Sequence, residues 1–150
     1  NRATFVDRMR TTVRTARRSG TRFAILFMDG DHFKAVNDRY GHVAGDKMIA
    51  EVAARLAPVL RVGDMAARMG GDEFAVLINH LESLEDAQNV IGRITTAMGA
   101  PIKVNERDSI HIGLSIGMAI YPDDGSDADS LIEEADKRMY AQKKSRHNSQ

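Results

Sequence analysis

The chain has 150 residues, the length of one domain, and its 21 basic and 21 acidic side chains leave no formal net charge. This balance predicts no broad electrostatic surface for nucleic-acid polymers or anionic membranes, so a phosphate-bearing partner needs a local site. The absence of cysteine excludes disulfides, thiolate nucleophiles and cysteine zinc sites, and fits a cytoplasmic setting. Apolar runs such as residues 23–28 are too short to cross a bilayer, and no signal segment opens the chain, so we expect a soluble domain without membrane contact.

Hydrophobic periodicity predicts helices and strands along the whole chain. Apolar residues recur every three or four positions in the predicted helices, whereas continuous or alternating apolar runs bounded by glycine, proline or acids indicate strands. In order, the predicted elements are a helix (4–19), a central strand buried on both faces (22–31), a helical turn and loop (33–42), a helix that Pro58 ends or bends (43–60), two hairpin strands (64–69 and 72–78), a helix (84–98), two strands (101–104 and 109–122) and a helix capped by Ser126 or Asp127. This order predicts an α+β domain with helices packed on a mostly antiparallel sheet of about five strands.

The segment "ARMGGDEFAVLI" places two glycines and two acids inside an apolar run. We predict a hairpin that turns at Gly70–Gly71, because glycine readily adopts the positive φ that such turns need. This register puts Arg68 opposite Glu73 and leaves Asp72 without a charged partner. Glu73 then has two interpretations, a cross-strand ion pair with Arg68 or a functional acid.

Acids at two predicted strand ends form a candidate metal site. Asp29 and Asp31 follow the central strand, and Asp72 follows the hairpin turn. If these strands are neighbours, Asp29 and Asp72 meet at one edge, where carboxylates destabilise each other unless a proton or a cation intervenes. A site with few carboxylates suits Mg²⁺, which retains waters and binds substrate phosphates, and the Gly30 carbonyl is a further oxygen ligand. A simple turn at "DGD" is the alternative.

Four blocks of the sequence resemble the GGDEF domain of diguanylate cyclases. The blocks are "MDGDHFKAVNDRYGHVAGD", "ARMGGDEFAVL", "LSIGMAIYPDDG" and "EADKRMYAQKK", and their order and spacing extend the resemblance over essentially all of residues 1–150. It implies a fold similar to nucleotide cyclases and the polymerase palm. It also implies Mg²⁺- or Mn²⁺-dependent condensation of two GTP molecules into cyclic di-GMP, with release of two pyrophosphates, by a homodimer whose domains face each other. We further expect a cytoplasmic piece of a longer signalling protein, other parts of which could be membrane-anchored.

The resemblance implies a role for each of several residues. By position, the metal ligands are Asp29, the Gly30 carbonyl and Asp72, the favoured proton acceptor for the 3′-hydroxyl is Asp72, and Glu73 is the second catalytic acid. The implied nucleotide contacts are Lys34, Asn37, His42, Asp46 and Lys143. A carboxylate accepts from the donors of guanine but not from the adenine edge, so Asp46 favours GTP over ATP. The alternatives are a helix-start acid for Asp46, loop packing for His42 and ordinary surface lysines.

Two further segments bear on regulation and on activity. Arg61 and Asp64 in "RVGD" match the RxxD site at which cyclic di-GMP inhibits its own cyclase, although the segment could be only a turn. Near the end, "QKKSRHN" has His147 where an arginine is usual in the family and Arg146 one position early, so Arg146 substitutes for that arginine or phosphate binding is weaker. The leading hypothesis is an active cyclase under product inhibition. The alternative is a catalytically silent GGDEF domain that binds GTP or cyclic di-GMP and regulates a neighbour.

Overall fold

The computed structural model describes residues 1–148, with side chains described as far as residue 146. The helices of this part are α1 (Arg2–Ser19), α2 (Phe33–Tyr40), α3 (His42–Leu56), α4 (Leu84–Ala97) and α5 (Ala128–Asn148). The strands are β1 (Arg22–Asp31), β2 (Met65–Gly70), β3 (Glu73–Leu81), β4 (Ile102–Lys103), β5 (Ser109–Ile110) and β6 (Gly113–Tyr121). Within these residues, no helix is both long and apolar enough to span a membrane.

The main sheet is antiparallel, with the strand order β2-β3-β1-β6. The predicted α+β class is confirmed. The sheet contains four strands of the described chain because the last predicted strand is divided: β6 joins the main sheet, while β5 pairs only with β4. The central position of β1 brings its carboxyl end beside the β2–β3 hairpin, as the metal-site prediction required.

The sheet has a hydrophobic core on each face. Successive side chains of β1 point to opposite faces, so Ala24, Leu26 and Met28 join one core while Phe23, Ile25 and Phe27 join the other. Helices α3 and α4 cover the first core, and α1 and α5 cover the second. This double coverage explains the continuous apolar run of β1 and confirms the predicted burial of both its faces.

Local sequence signals explain three helix ends. The α-helical part of α3 ends at Leu56, and Pro58 lies in the 3₁₀ turn Ala57–Val59, since proline has no N–H to continue the α-helical pattern. Asp127 caps α5, because its Oδ1 accepts a hydrogen bond from the Ser130 N–H at 2.8 Å. Helices α2 and α3 meet at Gly41, whose φ of 90° favours glycine at this junction.

The predicted register of the β2–β3 hairpin is wrong. Gly70 pairs with Glu73 and Arg68 pairs with Phe74, with an irregularity between Arg68 and Gly70, so Gly71 and Asp72 occupy the turn. Arg68 donates from Nε to the Gly71 carbonyl at 2.8 Å, and the ion pairs found in the described residues do not include one between Arg68 and Glu73. Arg68 thus satisfies a turn carbonyl, and Glu73 is left available for other contacts.

Candidate active site

The ends of β1 and β3 bring Asp29, Asp72 and Glu73 together. In the β1–β3 register, Asp29 lies opposite Glu73. The Gly30 N–H donates to the Asp72 carbonyl at 3.2 Å, which attaches the hairpin turn to the end of β1. The predicted meeting of Asp29 and Asp72 is therefore correct. The closeness of Glu73 to Asp29 was missed, because it depends on the register between β1 and β3, which no local pattern in the sequence sets.

Burial and, after it, crowding of these acids raise two carboxyl pKa values. Burial, followed by the adjacent Asp29 carboxylate, raises the pKa of Asp72 to about 6. The pKa of Glu73 is raised by burial and then by the charges of Asp29 and Asp136, with Arg2 acting in the opposite direction. Ionisation of these acids therefore destabilises the folded protein, and a bound cation would reduce that destabilisation.

Lys143 of α5 already supplies one positive charge to the cluster. Its Nζ lies 2.7 Å from Asp29 Oδ2, and its side chain is 27% exposed. Burial by itself would lower the pKa of Lys143, but the hydrogen bond to Asp29 and the charges of Asp29 and Asp72 raise it above its ordinary value. Lys143 is thus a stable cation that faces both the carboxylates and the adjoining cavity.

An open cavity of about 400 Å³ adjoins the acids. Its lining residues, drawn from β1, the β1–α2 turn, α2, the hairpin turn and α5, are Gly30, His32, Phe33, Lys34, Ala35, Asp38, Asp72 and Lys143. The candidate metal ligands Gly30 and Asp72 therefore share one concave surface with the candidate phosphate-binding lysines, Lys34 and Lys143. Negative groups on a ligand there would face two ammonium groups, while a cation would face the carboxylates.

The oxygen donors of this cluster fit a divalent cation such as Mg²⁺. Asp29 Oδ1 is buried and has no hydrogen-bond partner within the described residues. In a strand the N–H and C=O of one residue point to the same side, so the Gly30 carbonyl faces the hairpin, as its N–H does. No cluster of three or more His, Cys, Asp or Glu side chains in this part of the chain is arranged as a metal site. Two carboxylates and a carbonyl match the preference of Mg²⁺ for few protein ligands and several waters or phosphates.

The affinity of the site for Mg²⁺ is expected to depend on pH. Because the pKa of the metal-free Asp72 is about 6, a proton competes with the cation below that pH. The Mg²⁺ dissociation constant should change little between pH 7 and 8 and should rise up to about tenfold per pH unit below 6. Calorimetric titration of Mg²⁺ at pH 5 to 8 measures this dependence. A constant affinity across that range would show that Asp72 is not a ligand.

The predicted guanine contacts lie apart from the acids, at the α2–α3 junction. Asn37 packs over Gly45, where a Cβ would overlap the Asn37 Oδ1 atom. Asp46 follows on α3 and is exposed, and His42 is the exposed first residue of that helix. None of Asn37, His42 and Asp46 lines the 400 Å³ cavity, so a ligand reaching both groups must extend from the cavity to this junction.

Arg61 and Asp64 form a separate local structure. The Asp64 side chain is 1% exposed, and its oxygens accept from the Arg61 N–H at 3.0 Å and the Asn79 N–H at 2.9 Å. Arg61 Nε lies 3.4 Å from Asp64, and its Nη2 donates to the Asn79 carbonyl at 2.8 Å, while the side chain remains 43% exposed. Asp64 thus stabilises the predicted turn, and the guanidinium of Arg61 remains accessible beside an apolar cavity of about 510 Å³.

Arg146 has internal partners. Its Nε lies 3.2 Å from Asp31 Oδ2, and its Nη1 donates to the Leu114 carbonyl. Asp31 is almost fully buried and also accepts from the Ser115 hydroxyl at 2.9 Å. These contacts of Asp31 were not predicted from sequence, because its partners lie more than 80 positions away. The side chain of His147, the departure from the family pattern, lies outside the described residues.

Comparisons with known proteins agree with this fold. The family profile described as "Diguanylate cyclase, GGDEF domain" matches residues 1–149. Diguanylate cyclase TpbB of Pseudomonas aeruginosa is 40% identical over 149 residues, which are 99% of this chain and 34% of TpbB. The crystal structure of the GGDEF domain of P. aeruginosa TpbB, also called YfiN, superposes with a TM-score of 0.93 at 40% identity, covering 97% of this chain and 90% of that one. The GGDEF domain of DgcB from Caulobacter crescentus, solved in complex with c-di-GMP, gives a TM-score of 0.89 at 30% identity, covering 97% and 85%.

The chain therefore belongs to the GGDEF domain family of diguanylate cyclases, a family of nucleotidyltransferases. The predicted family and the palm-like α+β fold are both confirmed. The chain spans about a third of the length of TpbB, so the family assignment concerns this domain.

Proposed function

We propose that this domain is an Mg²⁺-dependent diguanylate cyclase that condenses two GTP molecules into cyclic di-GMP and releases two pyrophosphates. The observation that carries the proposal is the convergence of Asp29 and Asp72 beside a cavity lined by Lys34 and Lys143. This arrangement places oxygen donors for a cation next to positive charges for phosphates, which is the charge pattern that a nucleoside triphosphate with its metal requires.

In the proposed complex, Lys34 and Lys143 bind phosphate oxygens and α2–α3 binds the base. The Asp46 carboxylate accepts hydrogen bonds from the N1 and N2 donors of guanine, and Asn37 offers both an acceptor and a donor. Because an adenine edge would leave Asp46 facing an acceptor, GTP is favoured over ATP. His42, at the start of α3, is about one helical turn before Asp46, and both side chains are exposed, so His42 is proposed as a further contact.

The bond formed joins the 3′-oxygen of one GTP to the α-phosphorus of the other, and the bond broken releases pyrophosphate. Asp29, Asp72 and the Gly30 carbonyl would hold the cation, which when bound neutralises phosphate charge and lowers the pKa of the attacking hydroxyl. Asp72 is proposed to accept the proton of the 3′-hydroxyl, since its carboxylate lies at the edge of the cavity beside the lysines that would bind the phosphates. Glu73, which lies opposite Asp29, is proposed as the second catalytic acid.

The proposed reaction needs two copies of the domain. Each copy has one such cavity and binds one GTP, so the two 3′-oxygens attack across a symmetric pair of facing domains. A second attack of the same kind closes the ring, which accounts for two pyrophosphates per product. The homodimer is therefore a functional requirement, and the rate should rise faster than linearly with protein concentration while monomers predominate.

Incubation of the purified domain with GTP and Mg²⁺, with assays for cyclic di-GMP and pyrophosphate over a wide range of protein concentration, tests the proposal. We expect both products in a one-to-two ratio and a second-order concentration dependence at the dilute end. No product at high protein concentration would reject the cyclase. Calorimetric binding of GTP or cyclic di-GMP without turnover would then favour the alternative, a silent regulatory domain.

We further propose that cyclic di-GMP binds at Arg61 and inhibits the enzyme. The support is the exposed guanidinium of Arg61, held in place by Asp64 and the Asn79 carbonyl beside the 510 Å³ cavity. A guanidinium suits phosphate or the acceptor edge of guanine. Because both oxygens of Asp64 already accept hydrogen bonds, the contribution of Asp64 would be mainly to orient Arg61.

Arg61→Ala is expected to weaken cyclic di-GMP binding about tenfold to 100-fold, since a hydrogen-bonded charge is lost, while GTP turnover remains near wild type. Calorimetry measures the affinity, and the initial rate with and without added product measures inhibition. Arg107→Ala, at an exposed arginine of the β4–β5 connection, is the control and should change neither quantity. Unchanged product affinity in Arg61→Ala would exclude this site.

A further inference from the structure

Helix α5 covers the outer edge of β6 with side chains. Strand β6 ends the sheet, so only one of its edges pairs with another strand, and the opposite edge needs other hydrogen-bond partners. Three residues of α5, spaced four apart, supply them and are called here the edge clamp. The contacts are Arg138 Nη1 to the Met118 carbonyl, Gln142 Oε1 to the Ile116 N–H, and Arg146 Nη1 to the Leu114 carbonyl.

The geometry of the edge clamp follows from two matching repeats. Four residues of an α-helix rise about 6 Å, and two residues of a strand advance about 6.6 Å. Helix α5 runs antiparallel to β6, so each step of four along the helix meets a step of two along the strand. A Cβ at Gly117 would overlap the backbone of α5, which shows how closely the helix lies against the strand. Side chains at positions 138, 142 and 146 therefore reach successive backbone N–H and C=O groups on the outer edge of β6.

The part of α5 that contains Gln142 and Arg146 also places Lys143 beside the acidic cluster. Lys143 directly follows Gln142, and its Nζ lies 2.7 Å from Asp29 Oδ2. One turn further, Arg146 is held both by the Leu114 carbonyl and by the buried carboxylate of Asp31. A lysine has four rotatable side-chain bonds and loses much conformational freedom when its ammonium is held at one point, so a fixed helix backbone favours this placement.

We propose that Gln142 and Arg146 are positioning residues that hold the last turns of α5 against β6 and thereby place Lys143 at Asp29. The role in catalysis rests on the proposed function, because Lys143 is there a phosphate-binding group. Arg146 then acts through Lys143, since its own guanidinium is engaged by Asp31 and Leu114. Gln142 bonds only to the strand backbone among the hydrogen bonds described, so its effect on the site is necessarily indirect.

The variants Gln142→Ala and Arg146→Gln test the proposal, with Lys144→Gln as the matched control. Lys144 is exposed, adjoins Lys143 on the same helix and lies outside the cavity and the edge clamp. The first measurement needs no activity: acetylation of each lysine by an N-hydroxysuccinimide ester, followed over time by mass spectrometry. The labelling rate of Lys143 should rise about fivefold or more in both variants, because loss of the local hydrogen bonds favours opening of the helix end. It should stay unchanged in the control.

The second measurement separates the effect on binding from the effect on turnover. Both variants should raise the KM for GTP about fivefold to tenfold, with kcat changed less than about twofold, because binding of ground state and transition state is weakened alike. Hydrogen exchange of the Ile116 amide should accelerate in Gln142→Ala, which confirms loss of the intended contact. Lys144→Gln should keep wild-type kinetics.

Each other outcome has a distinct meaning. If Ile116 exchange accelerates while Lys143 labelling does not change, the edge clamp only seals β6 and the positioning role is rejected. A raised KM in Arg146→Gln with unchanged labelling would also reject it, in favour of direct phosphate contact by Arg146. If the wild-type domain makes no cyclic di-GMP, the proposed function fails, and Lys143 labelling still decides whether these residues place Lys143.

Discussion

Asp72→Asn is expected to reduce cyclic di-GMP formation by about 10³-fold, because the amide cannot accept the proton of the 3′-hydroxyl and is a poorer cation ligand than a carboxylate. Its backbone contact to Gly30 should persist, since that contact does not involve the carboxyl group. The measurement is the initial rate at saturating GTP and Mg²⁺. Asp7→Asn, at an exposed acid of α1, is the matched control and should retain full activity.

Asp72→Asn is expected to lower activity but to raise the stability of the metal-free protein. In the metal-free protein the pKa of Asp72 is about 6, above its ordinary value of 3.8, so the folded state binds the proton more tightly than the unfolded state. Stability therefore falls as pH rises from about 4 to 6, and the loss persists above 6, where Asp72 is ionised. Asp72→Asn should raise the melting temperature at pH 8 in EDTA and have little effect at pH 4. A lower melting temperature at pH 8 would contradict this explanation of the raised pKa.

Gly117→Ala is expected to destabilise the domain by about 3 kcal/mol, because the added Cβ overlaps the Ala135 carbonyl oxygen and the Met139 nitrogen. Both obstacles are backbone atoms of α5, so no side-chain rotation relieves the overlap and the helix must move from β6. That movement also displaces Lys143 from Asp29, so activity should fall with stability. Urea denaturation measures the free energy of unfolding, and the cyclase assay measures the second effect.

Gly92→Ala is the matched control for this substitution. A Cβ at Gly92 would meet no heavy atom within 4 Å, and the residue lies inside α4. Alanine there should stabilise the domain by about 0.5 to 1 kcal/mol through its higher helix propensity and lower unfolded-state entropy. If Gly117→Ala matched the wild type in stability, the close approach of α5 to β6 would not be a packing constraint.

Local signals in the sequence were sufficient for most of the elements and for two of the three acids of the cluster. The continuous apolar run before Asp29 predicted a central strand buried on both faces, and β1 is that strand. Pro58 and Asp127 act at helix ends as their chemistry requires. Asp29 and Asp72 were expected to meet because each follows or interrupts an apolar run and neither had a charged partner. The four family-like blocks pointed to the GGDEF family, which the comparisons confirm.

The details of the site depended on contacts between distant segments. The hairpin register could not be read from two glycines, because a turn at Gly71–Asp72 in place of Gly70–Gly71 changes the β2 partner of Glu73 from Arg68 to Gly70. Arg146 could be assigned neither to phosphate nor to an internal partner until α5 was docked on β6, where Asp31 and Leu114 engage it. The sequence by itself therefore determined most of the elements and which acids lack a charged partner nearby in the chain, since these follow from periodicity and local charge. Only the tertiary structure decided which charges of the site neutralise one another, because these partners lie far apart in the chain, as Asp29 and Lys143 do across more than 100 positions.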